Sequence, residues 1–223
     1  VAAALLKRAG FNVVGVFIKG WYPQGYPCTW SEDRLDAMRA AARLQIPFHT
    51  LDASREYKQG VIDYLLREYA LGRTPNPDVM CNREVKFGAF WKFAMAHGAD
   101  FIATGHYTRN ADGNILRGHD DDKDQSYFLW AVPREVLQKT LFPVGAITKS
   151  RTRELARTCN IPQANKKDSQ GICFLGSISV DDFLRSEIGA TVGKAHDAQG
   201  KVVGEHAGAV LATLGERIAL TGA

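Results

Sequence analysis

The sequence is poor in the features that mark special classes of protein. Its 223 residues hold four cysteines, Cys28, Cys81, Cys159 and Cys173, with no CxxC pair, so neither a zinc site nor a secreted disulfide framework is suggested. A cytosolic, reducing compartment is the expectation, or the mitochondrial matrix for an organellar protein. No apolar run reaches membrane-spanning length, and no signal peptide is visible. The hydrophobic share of 45% and charged share of 23% exclude disorder and collagen-like repeats. An excess of positive charge of only +4 does not by itself argue for a nucleic-acid partner. An initiator Met is also lacking: the chain opens inside a helix-like run, Val1 to Ala9, with Gly10 as its C-terminal cap and no N-cap. The expectation is that the true start lies upstream.

What is present is an alternation of helix and strand patterns. Phe11 to Ile18 is β-branched and aromatic, reading as a buried strand of a parallel sheet. Thr29-Trp-Ser-Glu32 matches a capping box opening a helix with Leu35, Met38, Ala41, Ala42 and Leu44 on one face, which must stop before Pro47. Phe48 to Leu51 is a short strand, and Ser54 to Leu71 a helix closed by Gly72. A Pro-rich loop from Arg73 to Met80 leads to a helix holding Val85, Phe90, Phe93 and Ala94, capped by Gly98. Phe101 to Thr104 is another buried strand, ending at Gly105-His106-Tyr107. Such alternation predicts an α/β fold, an open and mostly parallel sheet with helices on both faces. Ligands in such sheets sit beyond the carboxyl ends of strands, here just after Ile18 and just after Thr104. From Asn114 the pattern becomes hairpin-like, followed by a helix over 148–159. Beyond Val180 a small β unit is expected, with strand-length pieces at Lys201–Gly204 and Ala209–Leu211.

Several residues could carry chemistry. Asp78 and Cys81 lie three apart where the Pro-rich loop enters a helix. A first-turn cysteine has its thiol pKa lowered by the positive end of the helix, with Asp78 near enough to exchange a proton. The plainer reading is an Asp N-cap and a cysteine packed as a small hydrophobe. Cys173 follows Lys166 and Lys167, which favour a thiolate, and Gly171 permits a close backbone approach; an inert turn cysteine fits equally. His106, after Gly105, could donate to a phosphate or a base, or be a surface histidine on a Gly turn. Lys123-Asp124-Gln125-Ser126-Tyr127-Phe128 suits a nucleotide or phosphate backbone, but also a solvated loop. The basic stretch 148–167 could track a polyanion or form a solvated helix face.

Together these segments resemble one family. Gly72 to Phe87, Ala103 to Tyr107, Lys123 to Phe128, Leu141-Phe-Pro143 and Lys167 to Phe174 are similar, in order, to motifs of the tRNA-specific 2-thiouridylases, and the likeness runs from Val1 to about Leu214. The resemblance implies an ATP-pyrophosphatase (HUP-like) domain over 1–147, a helical connection over 148–180 carrying a persulfide cysteine, and the start of a central β domain over 181–223. It implies ATP-dependent 2-thiolation of the tRNA wobble uridine: adenylation of the base, then sulfur transfer from a persulfide on Cys173 charged by a sulfur-relay protein. By the same resemblance Cys81 is the partner nucleophile, leaving a transient Cys81–Cys173 disulfide, and Asp78 is the acid/base group. Asn76 and Pro77 flank the target base. Ile18, where the family usually has Met, and Gly105 line the ATP site, while His106, Lys123, Asp124 and Gln125 contact tRNA. ATP, with Mg²⁺ through its phosphates, is the implied cofactor; tRNA and the sulfur donor are the implied partners.

The family's Ser-Gly-Gly-x-Asp-Ser phosphate loop should lie just before Val1, and its C-terminal barrel after the central β unit. Without the first, the chain as written is expected to bind ATP poorly. Two other readings stay open: another ATP-pyrophosphatase-fold ligase or amidotransferase, or a non-enzymatic tRNA-binding or thiol-redox module.

Overall fold

A computed structural model describes residues 1–23, 25, 30–166 and 179–222. The first quarter of the chain is a helix followed by a βαβ unit: α1 (Ala2–Arg8), then β1 (Gly15–Lys19), α2 (Trp30–Leu44) and β2 (Phe48–Asp52). β1 and β2 pair in parallel, with Ile18 opposite Leu51 and Lys19 opposite Asp52, and the Lys19 ammonium closes on the Asp52 carboxylate at 2.8 Å. That hydrogen bond, reinforced by Ser54, pulls the Asp52 pKa down to about 2. The strand is shorter and less buried than its sequence predicts. Phe11 and Val14 precede it and are 44% and 47% exposed. Among the described residues β1 has a strand neighbour on one side only. Of the capping box, Thr29 lies outside the described residues, and the helix begins at Trp30.

Two long helices follow, each with a π-helical stretch inside it. The first runs through α3 (Ser54–Tyr57), a π-helical turn (Lys58–Ile62) and α4 (Asp63–Ala70). The second runs through α5 (Pro77–Met80), a longer π-helical stretch (Cys81–Ala89) and α6 (Phe90–Ala96). Thus the helix expected around Val85 to Ala94 begins earlier, at Pro77. Tyr57, Val61, Ile62 and Leu65 from the first helix meet Cys81 and Val85 from the second in one apolar cluster.

The second parallel pair, β3 (Ile102–Ala103) with β6 (Thr140–Leu141), is not joined to the first among the described residues. The α/β class and the parallel pairing stand, as two two-stranded pairs. Between β3 and β6 lies an antiparallel hairpin, β4 (Thr108–Ala111) and β5 (Asn114–Arg117), turning on Asp112-Gly113, both at positive φ. This is the Asp-Gly turn whose twist suits tight hairpins. The hairpin therefore starts at Thr108, not at Asn114. A short helix, α7 (Arg134–Gln138), adds Val136 and Leu137 to a second cluster with Phe87, Ala94, Ile102, Leu129 and Val132. α8 (Lys149–Thr158) matches the helix read over 148–159, with the Thr148 hydroxyl accepting from the Arg151 amide at its start.

A ninth helix, α9 (Val180–Ile188), is not foreseen in the sequence reading. Its signals are the Ser179 N-cap, Asp181 and Asp182 in the first turn, and Gly189 after its end. Its Phe183 is completely buried in the cluster around Cys81. Beyond it, β7 (Gly193–His196) and β8 (Val202–His206) form the hairpin of a small β unit. Ala209–Leu211 is a 3₁₀ turn, not the strand expected: Gly208, at φ 146°, reverses the chain, and its carbonyl accepts the Leu211 amide at 3.2 Å.

Gly145 shows how tightly the hairpin is held. A Cβ there would run into the Thr108 carbonyl, while the Gly145 carbonyl accepts the His119 amide at 2.9 Å. Gly145→Ala should therefore destabilise the fold by about 2–3 kcal/mol. A urea titration giving a ΔG within about 0.5 kcal/mol of the parent would show that the hairpin moves aside freely.

Candidate active site

The sequence motifs converge on the second long helix. The Asn76 side chain accepts the Val79 amide at 3.2 Å, and Pro77, with no amide to satisfy, occupies the first helical position. Asn76 is therefore the cap, not Asp78. A proline next to the cap fixes the helical start there, leaving Asp78 in the first turn, where a carboxylate favours the positive helix end. Cys81 lies one turn further on. Its amide already donates to the Pro77 and Asp78 carbonyls, and its side chain is 0% exposed. A first-turn thiol is thus not what forms; Cys81 packs in the apolar cluster, and whatever reacts with it must enter that cluster. Cys173 and Cys28 lie outside the described residues, while Cys159 is half-buried at the end of α8.

Further contacts tie this helix to the other described motifs and two of those motifs to each other. Asn82, buried beside Cys81, donates its side-chain amide to the Phe128 carbonyl at 3.1 Å, so the Lys123–Phe128 segment is fastened to the helix. Phe87 packs against the His106 ring at 5.8 Å between centroids, and Phe142, from the Leu-Phe-Pro motif, meets the same ring edge-on at 6.3 Å. Gln125 clamps Tyr107 reciprocally: its side-chain oxygen accepts the Tyr107 backbone amide at 3.0 Å and its backbone N–H donates to the Tyr107 carbonyl at 2.9 Å. The sequence offers no periodic signal for Asn82 or Phe87; only the fold reveals them as links.

The environments of the predicted site residues differ sharply. His106 is 8% exposed, with Nδ1 sharing a hydrogen bond with the Thr104 hydroxyl at 2.7 Å. Burial, helped by the positive charge of Lys86, pulls its pKa down to about 3, so it is a neutral, interior imidazole and not a surface one. Gly105 beside it is exposed, and a Cβ there would meet nothing within 4 Å. The Asp124 carboxylate is resisted by burial but lowered overall by the Gly118 amide at 2.8 Å and by the Ser126 hydroxyl and amide, so it shapes the loop. Lys123 is exposed. Ile18 is half-buried against the Cys81 cluster. It and Gly105 stand at or just past the carboxyl ends of different parallel pairs.

An open groove of about 860 Å³ runs beside the Cys81 helix, with Asn76, Met80, Arg83 and the exposed Trp130 on its walls. Several cations of the basic stretch after Thr148 bond to their own neighbours: exposed Arg151 pairs with Glu154 at 2.7 Å, and Arg153 reaches the Ala164 and Lys166 carbonyls. Among the described residues no three His, Cys, Asp or Glu side chains come together as a metal site, and no helix is long and apolar enough to cross a membrane.

A family model described as the tRNA methyl transferase HUP domain matches residues 1–177. The chain belongs to that family. The tRNA-specific 2-thiouridylase MnmA of Christiangramia forsetii is 48% identical over 200 residues, covering 84% of this chain and 51% of that protein. The proteins of the same name from Streptococcus pyogenes serotype M3 and Streptococcus mutans are 45% and 46% identical over 224 residues, covering 97% of this chain and 60% of theirs. The likeness that the five motifs carry is thereby borne out. The chain spans between about half and three-fifths of the length of these curated relatives.

The neutral His106 generates a pH prediction. Its folded pKa, about 3, lies below the unfolded value of 6.5. The unfolded state therefore binds the extra proton first, and stability is lost as pH falls from about 6.5 towards 3. At pH 5 the loss should be on the order of 1–2 kcal/mol relative to pH 8. His106→Gln should remove that part of the dependence; thermal melts at several pH values showing equal acid sensitivity in both proteins would contradict the assignment.

Proposed function

We propose that this chain forms the catalytic part of a cytoplasmic tRNA-specific 2-thiouridylase, a sulfurtransferase that replaces the 2-oxygen of the wobble uridine with sulfur. The observation that carries the reading is the convergence of the described motifs on one helix, through Asn82–Phe128, Phe87–His106 and Phe87–Phe142, with Gln125–Tyr107 joining two of them to each other. The names of the relatives point the same way.

In this reading ATP activates the uridine 2-carbonyl by adenylation. Ile18 and Gly105 line the nucleotide site, a role that suits the open space at Gly105 and the strand ends beside which ligands of α/β sheets bind. Mg²⁺ is carried by the phosphates, as is common for this ion. Asn76, Pro77 and Asp78 face the target base at the start of the helix, and His106, Lys123, Asp124 and Gln125 form the tRNA-contacting loops. The buried clamps on His106, Asp124 and Gln125 make their contribution one of loop shape, with exposed Lys123 left for the phosphate backbone. Cys173 receives sulfur from a relay protein as a persulfide. Its terminal sulfur attacks the activated carbon, adenylate leaves, and the Cys81 thiolate attacks the Cys173 sulfur. The sulfur–sulfur bond breaks, 2-thiouridine is released, and a Cys81–Cys173 disulfide remains for an external thiol to reduce. Asp78, one turn before Cys81, takes and returns the proton.

The test is thiouridine content, by mass spectrometry of tRNA nucleosides, in cells relying on the full-length protein. Cys81→Ser and Cys173→Ser should each abolish thiolation, and Asp78→Asn should slow it by about 10²-fold or more. Unchanged 2-thiouridine in either cysteine variant would overturn the mechanism. An ATP-dependent product that needs neither cysteine would favour a ligase or amidotransferase of the same fold.

A further inference from the structure

Two large aromatic side chains, Tyr127 and Trp130, are 60% and 76% exposed on a segment whose backbone is otherwise tied down. Asn82 on the Cys81 helix donates to the Phe128 carbonyl at 3.1 Å, and Leu129 is fully buried in the second apolar cluster. The Asp124 carboxylate accepts the Gly118 amide at 2.8 Å and the Ser126 amide at 3.2 Å. Ser126–Phe128 is a 3₁₀ turn, and the Val132 amide continues it by donating to the Leu129 carbonyl at 3.0 Å. Side chains three positions apart eclipse in such turns, which puts Tyr127 and Trp130 on one side of the loop. The Phe128 ring lies 4.1 Å from that of Tyr127, at 36°, and supports it. A single exposed hydrophobic is ordinary on a protein surface. A pair on an anchored backbone presents preformed apolar faces that the fold itself does not use.

We propose that Tyr127 and Trp130 form a stacking platform for the unpaired bases of an RNA loop, beside the base to be modified. The inference rests on the 2-thiouridylase reading and gives that site a subsite for the neighbouring nucleotides. Trp130 stands on the wall of the same 860 Å³ groove as Asn76, which in that reading flanks the target base, so one strand can serve both. The charges of the wall suit such a strand. Two of its carboxylates are already answered, Asp52 by Lys19 at 2.8 Å and Glu84 by Arg83 at 2.6 Å. Among the described residues of the wall this leaves exposed Glu56 against the exposed cations Arg67 and Lys92. Every base has a π-face, so stacking holds a strand without choosing its sequence. Rings already fixed in place also lose little freedom when a base lies on them. A chain with an excess charge of only +4 then has a means of holding RNA that does not depend on a strongly basic surface.

The experiment is binding of a tRNA anticodon stem-loop to the full-length protein, followed by filter retention and by tryptophan emission. Trp130→Ala and Tyr127→Ala should each weaken binding by about tenfold, and in thiolation assays should raise KM by a similar factor while leaving kcat within about twofold. Trp130→Phe should keep the affinity and lose most of the emission quenching that RNA causes, because Trp21, Trp30 and Trp91 are half-buried. A stem-loop with abasic nucleotides on both sides of the target uridine should bind the parent about tenfold more weakly, a readout that needs no variant to fold. Trp130→Ala binding as tightly as the parent, or a parent indifferent to the abasic nucleotides, would overturn the platform while thiolation by the parent kept the thiouridylase reading intact. A parent that neither binds the stem-loop nor thiolates tRNA would overturn both.

Discussion

The helix from Pro77 to Ala96 is wedged between two apolar clusters, and the placement of the Ala103–Tyr107, Lys123–Phe128 and Leu141–Pro143 motifs follows from that wedge. Cys81 and Val85 face the cluster built on Tyr57, Ile62 and Leu65, while Phe87 and Ala94 face the one built on Ile102, Leu129 and Val136. A regular α-helix turns about 100° per residue, so two separate faces so close in sequence are awkward to serve at once. The π-helical stretch from Cys81 to Ala89 is where the helix passes from one core to the other. Gly88 permits it: a Cβ there would sit against the Arg83 carbonyl five residues back, the partner spacing of a π-helix. Gly60, in the π-helical turn of the preceding helix, lets the Glu84 side chain lie directly on its backbone. The two irregular stretches are thus packed on each other, and a small residue is needed on one side of the contact.

Burial of this kind has an electrostatic consequence. The groups enclosed by the two cores are kept uncharged or fully bonded: His106 is neutral, Thr140 donates to the Val136 carbonyl, and Thr108 to that of Leu116. Charged groups sit at the margin, where Lys19 pairs with Asp52 and Lys166 with Asp33 and Asp36. Two buried acceptors stand apart among the described residues, the side-chain oxygens of Gln163 and Asn82. That of Asn82 has no hydrogen-bond partner there, although its amide is committed to Phe128. An unsatisfied acceptor next to a buried cysteine costs stability, and it stands beside the residue that the proposed chemistry requires to change its bonding.

Local rules recovered much of this from sequence, and failed where tertiary contacts decided. The Gly72 and Gly98 helix ends and the parallel βαβ order are short-range signals that the structure keeps; the Asp112-Gly113 turn, an equally local signal, lies just before the stretch read as hairpin-like from Asn114 and is found only in the structure. Asn76 as cap was missed because both Asn and Asp cap well, and only the position of Pro77 separates them. α9 was missed because its nine residues follow a Gly- and Ser-rich run and precede another Gly-rich one, so its capping signals are outweighed locally. The burial of His106 has no sequence signature at all. It depends on Phe87 and Phe142, 19 and 36 positions away in the chain.

The same reasoning explains why the charge balance says so little. An excess of +4 suggests a weakly basic surface, yet among the described residues three cations that precede the proposed persulfide segment make internal bonds: Arg153 and Arg157 on the turn after α8, Lys166 on α2. A cluster of lysines and arginines can hold a segment in place as readily as it can attract a polyanion. Distance decides between the two, since an ammonium 2.8 Å from two carboxylates has little field left for a phosphate. In the proposed function, contact with an RNA strand would therefore fall to side chains such as exposed Lys123 and Trp130 on the loops around the Cys81 helix, where stacking and single contacts would supply what net charge does not.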